Sequence, residues 1–529
     1  MQVRCQNAPN PLRSGRHAAL GLCSLVLFCS FTPIVRARQR SVIIRVAADF
    51  PKRAVIEVVG APSRIWSFRN SYAGVLELGS RIEGFRVFNA AGGEIPVRKI
   101  APGQFETNTP ATRFRYEVNL TPPIRVADAA RVSWSNETRG LLMLADLLPL
   151  PDQEATRATF SGVGADRREP ATQRLAVRLN LPDGWNIFSN EGQNASGDLE
   201  VTDADTSVFV IGKNLRTSRT TISGMTLNLM TDGEWAFADS EVLQMGADVL
   251  KAHREVFGSM PSTRASLILM PFPQIAAAEK WSAETRGSTV TLLLGRQPSK
   301  VAALAQLSVP LTHELFHLWV PNGLALDGDY DWFYEGFTIY QAARTGVRLG
   351  LLTFPDFLNA IGRAYDAYAN GFDRDRWSLV EASQRRWTVG ESVVYQKSML
   401  VAFLYDLKLR SQTRDKHSLD DVYRELYRKH HSVAAESRTA EVEERSDGNQ
   451  GVVSALSNAS GMQNFADAFI RRPAPIDLAV ELAPFGLRAE RIGLRTHITV
   501  NETLTRQQRD LLRELGYNDR MRSAQRKHD

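Results

Sequence analysis

Residues 311 to 319 read LTHELFHLW, which sets His313 and His317 four positions apart with Glu314 directly after the first. On an α-helix, residues i and i+4 lie on one face, one turn apart. Two imidazole nitrogens can therefore be offered to one ion, with Glu314 beside them to take a proton from a water the ion activates. Pro310 suits a first-turn position, and the residue before Pro321 is biased out of helix, so the segment is expected to end soon after Trp319. With nine histidines in the chain, two core histidines sharing a face by chance is the competing reading. A third ligand separates the two.

The stretch YDWFYEGFTIYQAARTG, residues 330 to 346, has helical spacing and is expected to close on Gly346. Trp332, Phe333, Phe337 and Ile339 should bury one side, and Glu335 lies among them. A carboxylate there is costly to bury unless it is paired or coordinated. Two antiparallel helices and a short loop could bring Glu335 to the imidazoles. His, His and Glu with one open position is a catalytic zinc arrangement, which predicts one zinc per chain. A third histidine six residues after the second is excluded, because position 323 is Gly. Asp327, Asp329 and Asp331 remain rival ligands, each in a polar loop.

These residues need a scaffold. From Ser41 to Asp232 the sequence reads as short alternating segments, such as SVIIRVAA and RFRYEVNL, separated by Gly, Pro, Asn and Asp. This predicts an antiparallel sandwich or saddle. Near Phe237 the period changes, and FADSEVLQMGADVLKAHREVFG reads as a helix capped by Gly258. Two strands follow, ASLILMPF and GSTVTLLLG, and beyond Val301 the pattern is mainly helical to the end. The polar stretch AAESRTAEVEERSDGNQG reads as a surface connection. The fold class is α+β, with a β domain over 41–232, a catalytic domain over 233–433 and a helical region with a tail over 434–529.

At 529 residues the chain is long enough for two or three domains. Its hydrophobic content of 43% and charged content of 23% are those of an ordinary globular protein. The charge of +6 is spread along the chain, and a basic run at Arg520, Arg522, Arg526 and Lys527 reads as a solvated end. No clustered basic stripe calls for a nucleic-acid partner. At the other end, Arg4, Arg13 and Arg16 precede an apolar stretch and the small residues before Gln39, which describes an export signal over residues 1–37 cut after Ala37. The expected location is periplasmic or secreted, with membrane contact only if residues 18–35 stay uncleaved as an anchor. Cys5, Cys23 and Cys29 all fall in this segment, so the mature chain would have no thiolate site, and a metal must be held by His and carboxylate.

HELFHLW followed by WFYEGFTIY resembles the gluzincin metallopeptidases, and in detail the glycyl aminopeptidase family, whose catalytic domain is thermolysin-like. VVYQKSMLVAFLYDLKLR is similar to that family's tyrosine-bearing helix, and SLDDVYRELY to the segment after it. SFRNSYAGVLELGSRIEGFRVFNAAGGEIPVRKI is similar to its N-terminal β domain. The likeness extends over most of residues 41 to 490. It implies zinc on His313, His317 and Glu335, Glu314 as general base and Tyr395 as oxyanion donor. It also implies that Glu284 grips the substrate's free amine.

Two departures stand out. About forty residues follow Leu487, below the ~50 expected of a small domain, so the family's PDZ module is not expected. Thr285 stands where the family usually has His after the glutamate. Lys397 and Trp319 match family positions, and packing is the expected role of both. The expected activity is an exported zinc aminopeptidase releasing N-terminal residues, Gly or Ala by resemblance, from peptide or protein substrates. A zinc endopeptidase and an inactive peptide-binding relative are the alternatives.

Overall fold

The computed structural model describes residues 40–47, 52–150, 174–372, 374–431 and 446–518. The expected export segment with its three cysteines, most of the polar connection and the basic tail lie outside the described residues. Among the described residues, no helix is long and apolar enough to cross a membrane.

The N-terminal part is β throughout, as the alternation demands. Arg40–Val46 lies between Arg53–Ser67 and Leu175–Asn180, antiparallel to the first and parallel to the second. The long strand Gln104–Asn119 pairs with Arg53–Ser67 and with Ile82–Phe88, extending a nine-stranded sheet. Every second residue faces inward: Val42, Ile44, Ile56, Val58, Phe114, Tyr116 and Val118 form one buried apolar cluster. A second sheet of four antiparallel strands includes Arg139–Met143 and Val208–Gly212.

The catalytic part begins earlier in the chain than the change of period near Phe237 suggests. The hairpin Arg216–Ile222 and Met225–Thr231 pairs in parallel with Arg264–Pro271, so it hydrogen-bonds into a five-stranded sheet with Thr289–Leu294 and Trp281–Arg286. Antiparallel alternation looks the same in either sheet, so local pattern could not assign the hairpin. Thr289–Leu294 is buried on both faces. The edge strand Trp281–Arg286 runs antiparallel to it. The helix Asp239–Phe257 ends on Gly258 at φ 91°, the expected left-handed cap.

The helix bearing the two histidines runs from Lys300 to Phe316, with the Ser299 hydroxyl accepting from the Ala302 N–H as N-cap. Pro310 is not in its first turn but well inside it. The true start lies at Ser299, and the apolar face of Ala303, Leu307 and Leu311 carries the helix through the proline. The second element opens as a wide π-turn over Trp332–Phe337 and continues as the helix Thr338–Arg348. Gly346 does not end it, and the chain turns instead at Gly350 with φ 70°. At Gly346 a Cβ would meet Leu352 Cδ1 at 2.9 Å, so this glycine packs closely on the Leu352 side chain within the helix rather than capping it.

Beyond this the chain is mostly helical, including Ser398–Thr413, Leu419–His430 and Gly448–Asn458. One hairpin, Leu487–Ile492 with Arg495–Val500, departs from the helical expectation. The Asp366 carboxylate anchors it by accepting the Thr496 hydroxyl at 2.6 Å. The last residues of the polar connection are also ordered into structure. Ser446–Asp447 pairs with Leu326–Asp327, and Asn449 accepts the Trp332 indole N–H at 2.8 Å.

Candidate active site

His313 and His317 occupy the last turn of their helix and its C-cap. His317 keeps helical backbone angles, φ −63° and ψ −16°, so its side chain stays on the face that carries His313. The two Nε2 atoms are 3.0 Å apart. Glu335 arrives from the π-turn, with Oε2 at 3.3 Å from His313 Nε2 and 3.7 Å from His317 Nε2. All three ligand atoms lie within 4.8 Å of one another, and among the described residues these three form the group suited to a metal ion.

The donor set fits such an ion. His317 Nδ1 lies 2.9 Å from the Val320 carbonyl, where an Nδ1–H donor leaves Nε2 free as a ligand. The rival aspartates are not part of this group. Asp331 is bonded to Arg386 and Tyr334, Asp327 lies on the strand paired with Asp447, and the Asp329 carbonyl accepts from Asn449.

The turn that delivers Glu335 is held by an unusually close approach. A Cβ on Gly336 would stand 2.2 Å from Ser398 Cβ and 2.7 Å from the Val394 carbonyl. Glycine therefore lets the turn press against Val393–Lys397, which carries Tyr395. Between them lies Arg386, a residue that sequence reasoning missed. Its Nη2 donates to Glu335 Oε1 at 2.8 Å and also to the Tyr395 hydroxyl, and its Nη1 donates to Asp331 Oδ1 at 2.6 Å. Tyr395 thus bonds to this guanidinium, whereas an ordinary core tyrosine would be expected to bond to a backbone carbonyl. The sequence held one signal for Arg386: a buried Glu335 demands a cationic partner as well as ligands.

Charge follows from this arrangement. Burial pushes the Glu335 carboxyl up, but Arg386, His313 and His317 outweigh it and hold the group well below the usual carboxylate range. Glu314 is buried and points to the same centre. Burial raises its carboxyl above the ordinary range, against the lowering effect of His313, His317 and Thr285. Thr285 donates its hydroxyl to Glu314 Oε2 at 2.6 Å, so the residue in the family's histidine position bonds to the carboxylate beside the metal ligands.

Glu284 is not a loop residue but a member of the edge strand Trp281–Arg286, opposite Thr291. Two groups from the N-terminal β domain meet it. Tyr72 donates to Oε1 at 2.5 Å, and Arg131 Nε lies 3.8 Å from Oε2. Burial is the main reason the Tyr72 hydroxyl is pushed up to about 12, so it stays protonated and donating. Neither Tyr72 nor Arg131 has a local motif, and only the packing of the two domains reveals them.

Lys397 and Trp319 have the packing surroundings expected of them. Trp319 stacks on Phe257 at 5.3 Å and donates to the Ser259 carbonyl. Lys397 is fully buried, and its Nζ donates to the Arg374 carbonyl at 3.2 Å. Burial pushes its ammonium down to about 8.

A His-Glu-x-x-His helix, a glutamate from the next element and a β domain ahead of the catalytic sheet form the arrangement that the likeness to the gluzincin metallopeptidases implies. Residues 325–402, which include Glu335 and Tyr395, match the M61 glycyl aminopeptidase family. No curated protein matches the chain. Among solved structures, the fold is similar to an aminopeptidase N family protein from Idiomarina loihiensis. That match has TM-score 0.68 and 16% identity, covering 85% of this chain and 79% of the other. An M1 zinc metallopeptidase from Deinococcus radiodurans matches with TM-score 0.50 and 13% identity, over 83% of this chain and 95% of the other.

Proposed function

We propose that this chain is an exported zinc aminopeptidase that removes residues from the free N-termini of peptides. The observation that carries the reading is the convergence of His313, His317 and Glu335, with Glu314 beside them and Glu284 on the adjoining sheet edge. Zinc held by the three ligands would supply a Lewis acid for the scissile carbonyl and lower the pKa of water toward ~7. Glu314, oriented by Thr285, takes the water's proton and passes it to the leaving amine. Tyr395 presents a hydroxyl that stays protonated, because burial, the largest influence, and the Glu335 charge both raise it. That hydroxyl serves as donor to the developing oxyanion.

Glu284 would receive the substrate's ammonium group at the sheet edge. Gly and Ala, which the family resemblance implies, need only such backbone contacts. The segment with Arg4, Arg13, Arg16 and its apolar run supports export. One observation favours an endopeptidase instead: Glu284 already has Tyr72 and Arg131 as partners.

Kinetics on one peptide, free and N-acetylated, distinguish the two. The free form should be cut far better, and Glu284→Ala should erase most of that preference. Truncating one partner of a desolvated charge contact typically costs about 2–5 kcal/mol. Equal rates on both peptides with the parent protein would establish the endopeptidase reading.

A further inference from the structure

Residues 72–75 of the β domain form a tight turn, closed by hydrogen bonds from Tyr72 N–H to Val75 at 2.9 Å and back at 2.8 Å. Its central residues, Ala73 and Gly74, both have positive φ, 48° and 80°. Glycine adopts that backbone freely, whereas alanine is strained in it, so the surroundings must hold the turn in place. Arg131 is one such support, donating Nη1 to the Ala73 carbonyl at 3.2 Å.

The turn touches the candidate site at both ends. Tyr72 donates to Glu284 Oε1 at 2.5 Å, and Arg286, from the same strand as Glu284, lies 4.1 Å from the Tyr72 ring centroid. The ring is therefore fixed against the sheet edge. At Gly74 a Cβ would stand 3.2 Å from Trp387 Cε3, so the glycine lies directly against this indole. The Arg386 guanidinium is 4.2 Å from the Trp387 ring centroid and 5.1 Å from that of Tyr395. One turn thus bridges the sheet edge and the segment that holds Glu335 and Tyr395.

We infer that this turn is a stop ahead of the scissile bond, with the Tyr72 ring limiting substrates to those whose terminal amine carries no substituent. The inference rests on the aminopeptidase reading and names the residue that would enforce it. Tyr72 takes one oxygen of Glu284. The other, Oε2, is 3.8 Å from Arg131 Nε, beyond hydrogen-bond reach, and can accept an ammonium. An amine seated there has the Tyr72 ring beside it, because the hydroxyl of that ring sits on the same carboxylate. A chain continuing past the amine would have to displace a ring packed on Arg286 and a turn packed on Trp387.

One tripeptide beginning with alanine, with its amine free, N-methylated or N-acetylated, tests this. N-methylation keeps the positive charge that pairs with Glu284 and adds a single carbon, so it separates bulk from charge. In the parent protein, kcat/KM should fall about tenfold or more on N-methylation, the usual size of a one-carbon misfit. Tyr72→Ala should bring the N-methylated peptide to within about threefold of the free one, since the misfit is relieved. If that variant does not fold, the parent's free-to-N-methyl ratio decides. Equal rates for the free and N-methylated peptides in the parent, with the acetylated form resistant, overturn the inference and leave the aminopeptidase reading standing. So does an unchanged ratio in folded Tyr72→Ala, where both rates falling together would mean that Tyr72 only orients Glu284. Equal cleavage of the free and acetylated peptides by the parent, or no cleavage of the free one, overturns both.

Discussion

Arg386 and Glu335 form a buried pair in which the arginine takes one carboxylate oxygen, Oε1, and leaves the other, Oε2, to the two imidazoles. Both side chains are about nine-tenths buried, and Asp331 and Tyr395 share the same guanidinium. The candidate metal ligand Glu335 and the Tyr395 hydroxyl are thus held by one cation.

Arg386→Gln should therefore loosen the metal site. Loss of a group that orients a ligand typically lowers affinity by roughly 10- to 100-fold. Zinc competition against a chromophoric chelator would measure this independently of turnover. Arg386→Lys should recover only part of the affinity, because an ammonium cannot reproduce the planar fork. Unchanged affinity in both variants would mean that Arg386 only fills space.

Replacing His313, His317 or Glu335 with Ala should abolish tight zinc binding, since two remaining ligands hold the ion poorly. Glu314→Gln should keep about one zinc per chain and lose nearly all turnover, because an amide cannot accept the water's proton. Metal analysis beside a peptide assay checks both. Zinc loss from the Glu314→Gln protein would show that this side chain is a ligand.

Tyr395→Phe removes one hydroxyl and little volume. The expected loss is ~10²–10³ in kcat, with KM and zinc content little changed. A variant within about threefold of the parent would leave Tyr395 as a packing residue bonded to Arg386.

A pH effect on stability follows from His253, on the helix behind the site, whose Nε2 donates to the Thr312 carbonyl at 3.0 Å. Burial pushes this imidazole down from 6.5 to about 4, so the folded state keeps it neutral. The unfolded chain takes up the proton first as pH falls. The stability it contributes is therefore complete above about pH 6.5 and is lost as pH drops toward 4, by about 3 kcal/mol. Denaturant titrations across that range, with His253→Gln for comparison, should show a shallower pH slope in the variant. Identical slopes would rule this histidine out.

The candidate ligands were legible in the sequence because their geometry is local. Spacing of four on a helix fixes His313, His317 and the place of Glu314, and a carboxylate within WFYEGF marks Glu335 as a group needing partners. The alternating β segments and the Gly258 cap were equally local, because side-chain period and a left-handed φ depend on neighbouring residues. The parts the sequence did not determine are contacts between distant segments. Arg386 lies 51 positions from Glu335, Tyr72 lies 212 from Glu284, and the hairpin at residues 216–231 chose its sheet by pairing with Arg264–Pro271. A helix face or strand pattern states which side chains must be buried, but not which distant group will be buried against them. That choice was made by packing, where a bare Gly336 lets two turns touch and where the β domain's arginine meets the catalytic domain's glutamate.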